Sequence, residues 1–215
     1  MFFYDLENFR KSLIRINPTS FYDIGKFQFF LISFLCEKLK FAYNNESLIR
    51  TYAYTGEYTD NIIKKMKKEM EEMSDLKEKE RRKEFLEKSQ KKYEHQQRQF
   101  NSIKKLNFFE LRTTPLKYEN NKVFQKGVDV QLAVDLVAHA FQDNFDTAVI
   151  CSGDIDLIES IKIVKNLGKR VLLGSHPNLA SRKLRESADF FIDFSKFTQE
   201  QLDLFSTNFI KNKKI

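Results

Sequence analysis

The strongest constraint on the fold is an alternation in the second half of the chain. Residues 129–141 repeat apolar side chains at helical spacing through Val130, Ala133, Val134, Val137 and Phe141. A short apolar run follows at 147–151, then a helical segment at 157–167 stopped by Gly168. Beyond these come a run at 170–173, a helix at 179–187 and a run at 190–194. The runs are continuously apolar, as expected for strands covered on both faces. Strands that alternate with helices in this way build a parallel α/β sheet. In open sheets of this kind ligands bind just beyond the carboxyl ends of the strands.

The first half fits the same scheme with one addition. Residues 1–4 read as a short buried strand, and 18–40 as a helix with Asn17 as cap and Pro18 in the first turn. Residues 48–54 read as a second strand closing at Gly56, 107–112 as another, and 116–125 as a loop around Asn120-Asn121. From 59 to 105 there is no Gly or Pro, and the composition is that of helices. Ile63, Met66, Met70 and Met73 step by three and four. Leu86, Tyr93 and Phe100 step by seven, with a restart at Asp75 and Glu78 between the two patterns. The segment is expected to be a helical hairpin inserted into a single domain spanning 1–215. A C-terminal tail, 195–215, reads as a further helix running to Lys211, Lys213 and Lys214.

Charge points toward polyanions. The chain carries a net charge of +7, and residues 61–105 hold 15 Lys or Arg against 9 Asp or Glu, which is most of the excess. Lys64, Lys65, Lys67, Lys68, Arg81, Arg82 and Lys83 are the candidate phosphate contacts on the hairpin. The competing reading is a solvated helical face with intrahelical ion pairs, its methionines serving a homodimer or another protein partner. No run is long enough to span a bilayer and no secretory leader pattern is present, so the expected location is cytoplasmic, without membrane association. Cys36 and Cys151 both lie in apolar runs and read as small core residues.

The acidic residues carry the chemistry. Asp5-Leu6-Glu7-Asn8 follows the first strand at once, and Ser152-Gly153-Asp154-Ile155-Asp156 follows the run at 147–151. Two carboxylates that close repel one another and favour a cation. Asp129 opens its helix after Lys126-Gly127, where the glycine permits a tight turn. Each aspartate has a plainer reading as a helix cap. His95, His139 and His176 have no clustered partners.

Taken in order, Asp5-Leu6-Glu7-Asn8, Lys126-Gly127-Val128-Asp129-Val130 with Ala133-Val134-Asp135, Ser152-Gly153-Asp154-Ile155-Asp156 and Leu167-Gly168-Lys169-Arg170-Val171 resemble the NYN domain family, relatives of the PIN-domain nucleases and similar to the LabA-like proteins. The resemblance runs from residue 1 to about 194 and leaves out the Lys-rich hairpin. It implies a Rossmann-like or PIN-like central parallel sheet, an acidic cluster at its carboxyl edge and a metal-dependent ribonuclease. On that basis Asp5, Asp129, Asp154 and Asp156 are the expected metal ligands and Asn8 orients a water or phosphate oxygen. Lys126 would meet a phosphate of the RNA substrate. Hard carboxylate oxygens without His or Cys favour Mg²⁺ or Mn²⁺. The alternative is a catalytically weak or idle PIN-like module that binds RNA or a protein through the hairpin.

Overall fold

The computed structural model describes residues 1–18, 21–38 and 48–207. In chain order its elements are β1 (Phe2–Asp5), α1 (Leu6–Ile16), β2 (Phe21–Tyr22), α2 (Ile24–Lys38), β3 (Thr51–Glu57), α3 (Asp60–Glu71), α4 (Leu76–Ile103) and β4 (Phe109–Pro115). They continue with β5 (Lys117–Glu119), β6 (Lys122–Phe124), α5 (Val128–Phe141), β7 (Thr147–Cys151), α6 (Ile158–Asn166) and β8 (Arg170–Ser175). The last are α7 (Arg182–Ser187), β9 (Phe190–Asp193), α8 (Gln199–Phe205) and β10 (Ser206–Thr207), with short 3₁₀ turns at Ile155–Leu157 and Phe194–Lys196.

Six strands form one sheet in the order β4-β3-β1-β7-β8-β9, and every neighbouring pair is parallel. This is an α/β architecture, a six-stranded parallel sheet flanked by helices and consistent with a PIN-like fold. β1 lies at the centre, with Phe2 paired to Thr51 on one side and to Val149 on the other. Alternation along β1 divides the core. Phe3 joins Tyr54, Leu132, Leu136, Ile150 and Ile161 on the face covered by α5, α6 and α7. Phe2 and Tyr4 join Leu13, Phe27, Leu31, Phe194 and Phe205 on the other, beneath α1, α2 and α8. That second face is rich in phenylalanine, and Phe27 makes edge contacts with Phe9, Phe194 and Phe205.

Several boundaries differ from those read in the sequence. In place of a helix over 18–40 stand β2 and α2, and α2 begins only at Ile24, where the Asp23 side chain accepts from the Lys26 amide. α1, directly after Asp5, was not read in the sequence. Phe21–Tyr22 are instead paired antiparallel with Ser206–Thr207. The remainder of that segment, 19–20 and 39–40, lies outside the described residues. The loop expected at 116–125 contains a hairpin, β5–β6, turned by Asn120 and Asn121, both at positive φ (49° and 62°). α7 starts at its Ser181 cap rather than at Leu179. The tail helix ends at Phe205, and Lys211, Lys213 and Lys214 lie outside the described residues. Cys36 is exposed, not a core residue, whereas Cys151 is buried.

The hairpin appears as expected. The Asp75 side chain caps α4 by accepting from the amides of Lys77 and Glu78 at 2.8 and 2.9 Å. Ile62, Met66 and Leu86 are buried together with Tyr118 of β5, and Met70 packs against them. Met66 and Met70 therefore help close α3 on α4 and β5. Among the described residues no helix is long and apolar enough to cross a membrane.

Candidate metal and nucleic-acid site

Asp5 is the last residue of β1 and the cap of α1. Its Oδ1 accepts from the amides of Glu7 and Asn8, both at 3.1 Å, and its Oδ2 accepts from the Asn8 side-chain amide. The Ser152 hydroxyl donates to the same Oδ2 at 3.4 Å from the end of β7, the strand beside β1. Asp5 is only 3% exposed. Burial pushes its carboxyl above the usual carboxylate range against the pull of the Asn8 side chain and the two amides, and the charge of Asp154 pushes in the same direction as burial. A buried carboxylate within the field of a second one is stabilised by a cation.

The loop after β7 is tied to this point. Ser152 Oγ accepts from the Asp154 amide at 3.1 Å, so one hydroxyl holds both Asp5 and the Asp154 backbone. Asp154 Oδ1 in turn accepts from the Asp156 amide at 3.0 Å and caps the 3₁₀ turn. A Cβ on Gly153 would stand 2.6 Å from the Leu179 carbonyl oxygen, so only glycine allows this loop to lie against the loop after β8.

Asp129 and Asp156 both border an apolar groove of about 570 Å³ between α5 and α6, and the Asp156 amide ties that residue to Asp154. Asp129 sits in the first turn of α5 behind Gly127, whose φ is +86°. Lys126 is exposed just before that turn. Asp135 accepts from the Tyr54 hydroxyl at 3.0 Å and pairs with Arg112 at 3.8 Å, which makes it part of the sheet–helix packing. Among the described residues no three of His, Cys, Asp and Glu are gathered to hold a metal ion. The donor set nevertheless fits a hard divalent cation through Asp5 and Asp154, since such an ion is commonly held by one or two carboxylates with water and substrate phosphate completing its shell.

The hairpin is fastened at the same carboxyl edge. The Gln96 side chain of α4 donates to the Gly56 carbonyl at 2.7 Å and accepts from the Tyr58 amide at 2.8 Å. Gln125 accepts from the Gly56 amide at 2.9 Å. Two of the candidate cations are tied to Tyr118. Arg82 donates to the Tyr118 hydroxyl at 2.6 Å and pairs with Glu69, while Lys65 donates to the Tyr118 carbonyl and lies 5.6 Å over its ring. Lys64, Lys67, Lys68, Arg81 and Lys83 are exposed, with Lys67 and Lys68 in i,i+4 pairs to Glu71 and Glu72.

Sequence reasoning missed the α1 cap geometry and the α5–α6 groove. The first had a signal, since Leu6, Phe9, Leu13 and Ile16 repeat at helical spacing behind Asp5. The second had half a signal, since Val130, Ala133, Val134, Val137 and Phe141 form the stripe read in the sequence, but its α6 side arises only from packing between the two helices.

The sequence matches the NYN domain family over residues 2–196, and the chain belongs to that family. It is 34% identical over 83 residues to an uncharacterized protein of Methanocaldococcus jannaschii, a match covering 38% of this chain and 33% of that protein. The chain therefore spans about a third of the length of that relative. Its fold resembles the crystal structure of a protein of unknown function from Vibrio parahaemolyticus, with a TM-score of 0.57 at 18% identity. That likeness covers 96% of this chain and 94% of the other.

Proposed function

We propose that the protein is a metal-dependent endoribonuclease. The observation that carries this reading is the Asp5–Ser152–Asp154 arrangement at the carboxyl edge of β1 and β7, in a chain of a family with a PIN-like nuclease fold. A bound Mg²⁺ or Mn²⁺ supplies charge neutralisation at the scissile phosphate and a lowered pKa for the attacking water.

The chain's own residues do the rest. Asp5 cannot swing away, because two amides and the Asn8 side chain fix both its oxygens. Asn8 keeps that carboxylate oriented and Ser152 sets its spacing from Asp154. Asp156 and Asp129 border the adjoining groove, where each can orient water or accept a proton from it. Lys126 and the exposed hairpin cations hold the RNA backbone by charge, without reading sequence.

Labelled RNA and DNA incubated with Mg²⁺, Mn²⁺ or chelator test the proposal. RNA cleavage that chelator and Asp154→Asn both abolish supports it, and no cleavage of any RNA with either metal overturns it. The exposed cations of the hairpin favour one alternative, an RNA-binding module with little turnover. Salt-sensitive RNA binding without cleavage is its signature.

A further inference from the structure

The apolar groove between α5 and α6 lies open to solvent. Val130, Val134 and Phe141 are 60%, 60% and 75% exposed, and Ile163 and Leu167 of the α6 side extend the patch. Scattered exposed apolar residues are ordinary, but a contiguous strip along one helix marks a contact surface. Its layout identifies what covers it. The apolar α5 residues lining the groove are Val130, Ala133, Val134, Val137, Ala138 and Phe141. They are symmetric about the middle of the helix, between Asp135 and Leu136.

From this we infer that α5 is a two-fold interface, pairing antiparallel with α5 of a second copy of the chain. In that arrangement Val130 faces Phe141 of the second copy, Ala133 faces Ala138, and Val134 faces Val137. Phe141 meets the smaller Val130 at each end, the valines meet at the axis, and the alanines beside them let the helices approach closely. An isologous contact requires this self-complementarity. The antiparallel arrangement also opposes the two helix dipoles. The five apolar side chains expose on the order of 500 Å² per copy. Closing two patches removes about 1,000 Å², the lower bound for specific association. Phe141 of the second copy then covers the end of the groove that carries Asp129 and Asp156, so each copy borders the other's site.

The inference is independent of whether RNA is cut. Light scattering of the full chain across a concentration series should give twice the mass of one chain. Phe141→Glu and Val134→Glu, both at exposed positions, should raise the dimer dissociation constant at least about 30-fold, as for a central anchor. Phe29→Glu, an exposed phenylalanine on α2, should leave it unchanged. In a Cys36→Ser background, Ala133→Cys with Ala138→Cys should yield disulfide-linked dimers on mild oxidation. A wild-type chain that stays monomeric at about 100 μM overturns the inference, since an association weaker than that is not specific. A dimer on which Phe141→Glu acts no more than Phe29→Glu overturns it as well, because the contact then lies elsewhere.

Discussion

Asp5 and Asp75 make the same local structure. Each ends an extended residue, caps a helix, and accepts from the amides two and three positions on. Asp5 does so inside the sheet, 3% exposed, with Ser152 and the charge of Asp154 beside it. Asp75 does so in open solvent at the turn of the hairpin. Cap geometry therefore says nothing about function by itself. Burial and a neighbouring carboxylate separate a chemical group from a structural one.

The largest expected effect sharpens that contrast. Asp5→Asn keeps an acceptor for the cap but removes the charge, so RNA cleavage should fall at least about 100-fold, beyond the usual cost of losing a supporting metal partner. The melting temperature should fall modestly, since the amide NH2 of Asn replaces a buried oxygen that accepts from Asn8 and Ser152. Asp75→Asn should alter neither quantity. Equal activity in the two variants, measured with matched metal, would remove Asp5 from the site.

The second effect concerns the hairpin as a whole. Replacing Lys64, Lys67, Lys68, Arg81 and Lys83 by Gln should raise KM about tenfold and flatten the salt dependence of RNA affinity by roughly 0.7 in the log–log slope for each lost phosphate contact. The value of kcat should hold within about twofold. A binding isotherm with the wild-type slope would show that these cations only solvate the helices.

A smaller effect concerns stability. Asp75→Ala leaves two amides of α4 uncapped and should cost about 1 kcal/mol. Arg82→Ala should cost at least as much, because Tyr118 and Glu69 lose a shared partner in a half-buried contact. Denaturant unfolding of the two variants measures both, and an Arg82→Ala protein as stable as wild type would make that contact incidental.

The smallest effect is a pH dependence confined to the sheet body. Burial holds His139, stacked on Tyr52, and also His176 below the ordinary histidine value. The neutral forms favour the fold, so this stability is fully present above the unfolded pKa, near 6.5, and is lost as pH falls through the lowered folded values. Unfolding titrations between about pH 7 and 5 should show the decline, and His139→Gln should reduce it. An undiminished decline in that variant would assign it to other groups.

Much of this was legible in the sequence because it is local. β7, β8 and β9 are continuous apolar runs, the Asp75 restart announces α4, and Gly127 at positive φ permits the entry into α5. The lost pieces depend on distant partners or on overlooked short-range signals. Phe21–Tyr22 are extended because Ser206–Thr207 pair with them, and no local pattern reports that. The β5–β6 turn was marked by Asn120-Asn121 between short β-prone stretches. At the site, Asp5, Asp154 and Ser152 were visible as motif residues. The ties of Lys65 and Arg82 depend on Tyr118, which belongs to a hairpin far along the chain.

Gln96 has a mechanical consequence. Its amide joins Gly56 and Tyr58 as a neighbouring strand would, and about 20 residues of α4 lie between it and the hairpin turn, a lever of roughly 30 Å. A tilt of about 10° there sweeps the far end by about 5 Å. Gln96 shares the hold on α4 with the buried Leu86, Phe100 and Ile103, so shortening it to Asn would loosen the arm at the sheet edge without touching a charge.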